Sequence, residues 1–363
     1  MIVSFILFFI LLFLGFWEAY SHKKRVERIK IRILVNGTRG KTTVSRVLVA
    51  ALNRAGIKTM GRTTGSEAVI ITPSLETEKI VRKRKANILE MKDFFRRAAK
   101  EKCECVVVEC MALFPENQLT MATSLVKPTI VVITNSYIDH IAEMGRKRED
   151  TVYALSLSVA KNASLYTLES EYDSLPNKVI HPKEVLSVPQ TSFPLHKDSW
   201  RISKALLNDL GLSDELIISS LSTIIPDVGM IDRIVSSSGS IFYPYFSVND
   251  EECMERNLRE IREREGDKRI AIIFNNREDR EYRIELMRDI LKKDNTIADC
   301  IYVIGDYPRI VVRALRKYIS IKAIDINAMY KKIEEEKDMV FVGLGNIKGS
   351  GEELIALFTG EEK

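Results

Sequence analysis

Thirteen consecutive residues, Ile31-Arg32-Ile33-Leu34-Val35-Asn36-Gly37-Thr38-Arg39-Gly40-Lys41-Thr42-Thr43, carry the densest chemistry in this chain of 363. An apolar, β-branched run breaks into a glycine-bounded loop that ends in Gly-Lys-Thr. In such a loop, backbone N–H groups and the start of the following helix face anionic oxygens, a lysine neutralises them, and a hydroxyl holds Mg²⁺. The chemistry is phosphate binding, and the expected ligand is a nucleotide held by Gly37, Thr38, Arg39, Gly40, Lys41, Thr42 and Thr43. The general pattern G-x-x-x-x-G-K-[ST] wants a glycine six residues before the lysine, and Val35 stands there, so the loop is a shorter one. A plain glycine turn is the alternative. Helical spacing of Val44, Val47, Leu48, Ala51 and Leu52 after the loop, and the strand pattern before it, favour the cradle.

Further polar groups follow directly on apolar runs. Cys105-Val106-Val107-Val108-Glu109 reads as a buried strand ending on a carboxylate, and Thr129 to Thr134 runs into Asn135-Ser136-Tyr137-Ile138-Asp139-His140. Lys58 to Gly65, with Thr63-Thr64-Gly65 at its end, reads as a short strand entering a polar loop, either a ligand site or a turn. Residues 86 to 100 have helical periodicity. Strands alternating with helices imply an α/β fold with a parallel, doubly wound sheet, whose ligands bind at the carboxyl ends of the strands. One sheet edge would then collect Thr42, Glu109, Asp139 and His140, groups suited to Mg²⁺ and to substrate positioning. Taken singly, His140 reads as a structural histidine and Glu109 as a strand-end charge. Their joint placement favours function.

The region from Ala163 to Pro194 is Ser-, Pro- and turn-rich, and helices are expected at Asp198 to Leu210 and Asp214 to Leu221. Pro226 and Gly229 mark a seam at 225 to 232. A second α/β block follows, with strands at Ile241 to Phe246, Arg269 to Phe274, Cys300 to Ile304 and Met339 to Val342, and a charged helix from Glu251 to Glu265. Its strand ends carry Asn249-Asp250, Asn275-Asn276-Arg277-Glu278-Asp279-Arg280 and Gly343-Leu344-Gly345-Asn346.

Composition narrows the class. With 45% hydrophobic and 29% charged residues the chain is globular, and a net charge of +5 without a basic cluster of its own gives no nucleic-acid footprint. Cysteines 103, 105, 110, 253 and 300 lack zinc spacing and read as reduced, buried thiols of a cytosolic domain. Ile2 to Trp17 is nearly unbroken Ile, Leu, Phe and Val, followed by Tyr20 and then His22-Lys23-Lys24-Arg25 and Arg28. At ~1.5 Å per residue this stretch nearly spans a ~30 Å hydrocarbon core. The basic n-region and small-residue cleavage site of a signal peptide are missing, and the basic cluster after the span puts the remainder in the cytoplasm. The expected organisation is a transmembrane anchor over 1–20, a nucleotide-binding domain over 21–230 and a C-terminal α/β domain over 231–363.

The motifs resemble the Mur ligase superfamily, whose ATP loop is Gly-Thr-x-Gly-Lys-[Thr/Ser] and whose central domain continues to a strand-end glutamate and an Asn-x-x-x-Asp-His segment. Within it the chain is similar to the ligase subunits of poly-γ-glutamate synthases, the PgsB/CapB type. The similarity rests on Asn36 to Lys41, Thr63-Thr64-Gly65, Asn87-Ile88-Leu89-Glu90, Val108-Glu109-Cys110-Met111-Ala112, Asn275-Asn276-Arg277 with Asp279-Arg280, and Gly343 to Asn346. It implies a Mur-ligase-like central domain and a smaller Rossmann-like C-terminal domain. The implied activity is ATP-dependent, ADP-forming amide ligation, in which a glutamate γ-carboxylate becomes an acyl phosphate and an amine displaces phosphate. Lys41 and Mg²⁺ on Thr42 and Glu109 would reduce the repulsion between two anions, with His140 on a second Mg²⁺. By the same resemblance Asn275, Arg277, Asp279 and Arg280 of the C-terminal domain complete the nucleotide site, domain closure excludes water, and Thr63, Thr64, Gly65, Asn135 and Asp139 meet the substrate. Implied partners are glutamate or a related amino acid, the growing polymer and integral membrane export subunits, and a homo-oligomer is compatible with the sequence.

Departures accompany the resemblance. Many Mur ligases carry a carbamylated lysine about fourteen residues after the Asp-His histidine, but Tyr153-Ala154-Leu155-Ser156 has none, and Lys161 lies farther along. The adenine-contacting asparagine has only Ser199 near its place, and Val69 replaces an arginine expected after Thr-Thr-Gly. The cell-wall enzymes' amino-terminal substrate domain is replaced by the anchor. A membrane-bound kinase, ATPase or regulatory nucleotide-binding module needs only the phosphate cradle, and Glu109 with His140 discriminates against it.

Overall fold

The apolar run at the N-terminus forms α1 (Ile2–Arg28), 27 residues and so about 40 Å long. The helix does not stop at Tyr20. It continues because its last two turns dock on the protein: Val26 is buried, and buried His22 lies edge-on to Phe95 with Nε2 2.9 Å from the Leu125 carbonyl. By length and composition α1 can cross a membrane. The computed structural model describes all residues except 1, 66–67, 83–84, 192, 194, 227–232, 249–250, 281 and 360–363. The expected seam at 225–232, apart from residues 225 and 226, and the expected polar pair Asn249-Asp250 lie outside the described residues.

The chain divides into two compact units, Met1–Thr191 with Leu195–Ile225, and Ser192–Pro194 with Pro226–Lys363. In the first, α1 is followed by β1 (Ile31–Asn36), α2 (Lys41–Arg54), β2 (Thr59–Thr63), β3 (Val69–Ile71) and β4 (Thr77–Lys79). Then come α3 (Glu90–Lys100), β5 (Cys105–Glu109), α4 (Pro115–Thr120), β6 (Ile130–Ile133), α5 (Ile141–Met144) and α6 (Arg148–Ser156). The unit closes with β7 (Ser164–Thr167), β8 (Val179–Ile180), α7 (Lys197–Asp209) and α8 (Asp214–Ser220).

These strands form one sheet in the order β4-β3-β2-β5-β1-β6-β7-β8. From β2 to β8 every pairing is parallel, as a doubly wound sheet requires, while β3 and β4 add an antiparallel edge. The sheet is therefore mixed. Its central strands carry Ile33, Leu34, Val35, Val106, Val107 and Val108, all fully buried, because helices cover both faces. Each such side chain contributes ~1.5–3 kcal/mol on burial, which fixes β1 and β5 in register and aligns their polar ends. The register pairs Val35 with Glu109, so β5 delivers its carboxylate level with the start of the phosphate loop.

The second unit contains β9 (Ile234–Val235), β10 (Ile241–Tyr243), α9 (Glu251–Glu265), β11 (Arg269–Asn276) and α10 (Tyr282–Lys293). It continues with β12 (Cys300–Gly305), α11 (Pro308–Leu315), β13 (Ser320–Ala323), α12 (Ile326–Glu335), β14 (Met339–Leu344) and α13 (Ser350–Thr359). The strand order is β13-β12-β11-β14-β10-β9, parallel except for β9. Separate clusters pack the two faces, one around Ile272, Phe274 and Leu291, the other around Phe246, Phe341 and Met329.

Candidate functional site

The phosphate loop is a backbone turn that only glycine tolerates at two points. Gly37 (φ +119°) and Gly40 (φ +80°) occupy the left-handed region, and a Cβ on Gly37 would overlap Thr134 Oγ1. Side chains at the ends of two neighbouring strands, β1 and β6, hold this curve. Asn36 Oδ1 accepts from the Gly37 N–H at 2.9 Å, while Asn36 Nδ2 donates to Gln118 Oε1 and Ser158 Oγ at 2.8 and 2.9 Å. Asn135 Oδ1 accepts from Thr38 Oγ1 (2.7 Å) and the Arg39 N–H (2.9 Å), and its Nδ2 donates to the Arg39 carbonyl (3.1 Å). Thr134 Oγ1 donates to the same carbonyl at 2.6 Å. Gly40 then caps α2, whose first turn carries no acidic residue, so the helix's positive end is left to an anion.

Lys41 Nζ donates to the carbonyls of Gly37 (2.6 Å) and Thr38 (3.3 Å), so the ammonium lies inside the loop's curve. Burial pushes this group below the ordinary lysine range, and Glu109 pulls the other way. Thr42 Oγ1 donates to Glu109 Oε2 at 3.0 Å, and the Thr64 backbone N–H donates to the same oxygen at 2.9 Å. Glu109 is 2% exposed. A buried carboxylate, a hydroxyl, an ammonium and a helix N-terminus thus share one sheet edge. Thr43 turns inward and is buried, and Ser199 of α7 stands against Gly40.

Asn135 and Asp139, expected to meet substrate, bond the phosphate loop. Asp139 Oδ2 pairs with Arg39 at 3.2 Å, and its Oδ1 accepts from the His140 N–H at 2.8 Å. Burial would raise the Asp139 carboxyl, but Arg39, His140 and that N–H outweigh it and hold it below the usual range. His140 adopts φ +50° at the head of α5, its ring 3.8 Å from Asp139 and 4.0 Å from Glu143. Among the described residues no three His, Cys, Asp or Glu side chains are gathered as a metal cluster. Thr63 is fully buried, and Thr64 takes the contact to Glu109.

In the second unit Asn275 is fully buried, and its Nδ2 donates to the carbonyls of Asn346 (2.5 Å) and Lys348 (3.2 Å). Asn346 returns a bond to the Asn275 carbonyl at 3.0 Å, and Arg283 donates to Gly345 and Asn346. Asn275 therefore ties β11 to the turn after β14. Arg277, Asp279 and Arg280 lie on the turn after β11, with Arg277 bonded to Asp279 at 2.8 Å. Sequence reasoning missed Gln118 and Ser158, which no local pattern marks, and Arg62, a charge inside the buried pattern of β2 that was a readable signal.

Comparison with known proteins follows the same lines. Residues 35–157 match the Mur ligase middle domain, and the class defined by fold and site is that of the Mur-type, ATP-dependent amide ligases. Solved structures share the fold: E. coli FolC in complex with ADP (TM-score 0.69, 14% identity, covering 93% of this chain and 92% of that one) and A. baumannii MurF (0.64, 14%, 93% and 79%). The bifunctional folylpolyglutamate synthase/dihydrofolate synthase of Yersinia pestis, complexed with AMPPNP and Mn ion, gives 0.71 at 14% identity over 94% and 92%. Residues 231–361 match the poly-gamma-glutamate synthase CapB C-terminal domain, so the chain carries the Mur ligase middle domain and this CapB domain in one sequence. Among its relatives, the capsule biosynthesis protein CapB of Bacillus anthracis is 27% identical over 380 residues, spanning 97% of this chain and 81% of that protein. The PGA synthase CapB of Bacillus subtilis is 27% identical over 377 residues, spanning 95% and 94%.

Proposed function

We propose that this chain is a membrane-anchored, ADP-forming ligase that joins a glutamate γ-carboxylate to the amine of the next glutamate, making poly-γ-glutamate for capsule or secretion. The observation that supports this reading most directly is the placement of buried Glu109 on Thr42 and Thr64, beside Lys41. The relatives' printed names supply the polymer.

Phosphoryl transfer between two anions needs neutralisation and alignment more than covalent chemistry. Gly37 to Thr43 would cradle the ATP phosphates, with the Lys41 ammonium against them. Thr42 and Glu109 offer the hard oxygen donors that suit Mg²⁺, and His140 would serve a second ion. When bound, the metal neutralises charge on the transferring phosphoryl group. A γ-carboxylate oxygen attacks the γ-phosphorus, ADP leaves with the electrons of the broken P–O bond, and an acyl phosphate remains. The amine then adds to the acyl carbon, inorganic phosphate leaves, and the nitrogen sheds a proton. Thr63, Thr64 and Gly65 would border the substrate, while Arg277, Asp279 and Arg280, on the turn after β11, would contact nucleotide.

The anchor reading draws on α1. Its large apolar residues from Ile2 to Trp17 are 44–78% exposed, a continuous apolar surface that water does not support. Lys23, Lys24, Arg25 and Arg28 follow it, so the catalytic units face the cytoplasm. One span cannot form a polymer channel, so integral membrane subunits would complete export. Membranes carrying the chain and its partners should release ADP and phosphate in dependence on ATP, Mg²⁺ and glutamate. Failure of a whole panel of amino acids to stimulate ATP turnover contradicts ligation.

A further inference from the structure

A cavity of about 520 Å³ in the first unit is lined by Arg62, Arg82, Lys85, Glu90, Asp93 and Arg97, among others. The charges of its described lining residues do not balance. Arg97 is held by Glu78 and Glu101, and Asp93 pairs with Arg96 at 2.7 Å. Among the described lining residues that leaves Arg62, Arg82 and Lys85 facing the carboxylate of Glu90. Arg82 grips Glu90 with Nε at 2.9 Å and its terminal nitrogen at 3.1 Å, the Asn87 N–H adds a bond at 3.0 Å, and Arg62 pairs with the same group. The Glu90 carboxylate is thus fully used.

Arg62 is the unusual member, because its side chain is 1% exposed. Its second terminal nitrogen donates to Met111 Sδ at 3.2 Å, and a thioether is a weak acceptor for a guanidinium. A buried cation whose partner carboxylate is shared with a second arginine is stabilised by a further anion. Burial disfavours the Arg62 charge, while Glu90 and, more weakly, Glu109 favour it. Arg62 also lies two residues before Thr64, whose N–H holds Glu109. Two residues of strand span ~6.5 Å, a distance that the two carboxylates of one glutamate can bridge. The cavity has room for a polymer residue rather than for a carboxylate alone.

We propose that this cavity is the subsite for the α-carboxylate of the glutamate residue whose γ-carboxylate is activated, with Arg82 and buried Arg62 as its specificity-determining residues. The assignment rests on the ligase reading and names the group by which that site would recognise its substrate. It makes the second carboxylate a selected feature: a substrate lacking it leaves the positive charge lining the cavity unmatched.

The test uses the full-length protein in vesicles, with its partner subunits, and two probes. One is glutamate, and the other is 4-aminobutyrate, which keeps the amine and the γ-carboxylate but lacks the α-carboxylate. Arg62 is buried and its replacement would compromise folding, so the variant is Arg82→Gln at the cavity wall. Amino-acid-dependent ADP release and direct binding by calorimetric titration are both measured. The wild type should prefer glutamate over 4-aminobutyrate, and Arg82→Gln should lower that preference about tenfold or more, in KM and in the titrated affinity alike. If glutamate drives turnover and Arg82→Gln leaves the preference unchanged, the subsite is wrong and the ligase reading stands. If glutamate binds in an Arg82-dependent way without ATP turnover, the cavity's glutamate specificity survives and the ligase reading falls. Absence of both binding and turnover overturns both.

Discussion

The Thr42 hydroxyl donates to Glu109 Oε2 across 3.0 Å, joining the first turn of α2 to the carboxyl end of β5. The two residues are 67 positions apart in sequence, and the parallel pairing of β1 with β5 brings them together. Glu109→Gln keeps the shape and removes the charge. We expect ADP release to fall about 10²–10³-fold, the size of effect seen when one preorganised electrostatic contact is lost, with thermal unfolding little changed. Full activity in this variant, measured by coupled ADP assay, would sink the assigned role.

Asn135 makes three side-chain bonds to the phosphate loop. Asn135→Ala should cost about 1–3 kcal/mol of stability and raise the KM for ATP about tenfold or more, because the loop loses its clasp. Denaturant unfolding with parallel ATP titration separates the two effects. An unchanged KM with lowered stability would make Asn135 purely structural.

Gly37→Ala should abolish nucleotide binding. The residue adopts φ +119°, and its new Cβ would meet Thr134 Oγ1, so the loop must move. A strain of about 1–3 kcal/mol is expected, read as a lowered Tm together with loss of fluorescent ATP-analogue binding.

His22 gives a pH dependence. Burial holds its imidazole below the usual range, against the opposing pull of the Leu125 carbonyl, and buried Nδ1 has no hydrogen-bond partner among the described residues. Protonation would therefore bury an unpaired donor. With the folded value depressed, the unfolded chain binds the extra proton first, so stability is complete above ~6.5 and falls as pH drops below it. His22→Gln should flatten this slope in melts of the detergent-solubilised protein between pH 5 and 8. A variant slope equal to that of the wild type contradicts the assignment.

Much of this architecture is legible in the chain itself, for physical reasons. Long apolar runs such as Cys105 to Val108 form strands wherever helices cover both faces, and a polar residue at the end of such a run lies on the ligand-bearing edge. Short strands toward the ends of the sheet escape this logic. Ser164–Thr167 and Val179–Ile180 are too brief to show a period, and β3 with β4 adds an antiparallel edge to the expected parallel sheet. The loop's glycines and lysine are readable because local backbone geometry demands them. The Asn36 bond to Gln118 is not, since it depends on a fold that closes 82 positions of sequence. Arg62 lies between these cases: its burial inside β2 flags a partner, but only the folded chain shows Glu90 in that place.

The central claim is that a carboxylate is activated by phosphoryl transfer at the Lys41–Glu109 edge. A heavy-oxygen label on the glutamate γ-carboxylate tests it most directly, with the released phosphate analysed by mass spectrometry. The account predicts that one labelled oxygen appears in inorganic phosphate for each amide bond formed, and that Glu109→Gln suppresses both together. Polymer growth accompanied by unlabelled phosphate, or by AMP in place of ADP, would contradict it.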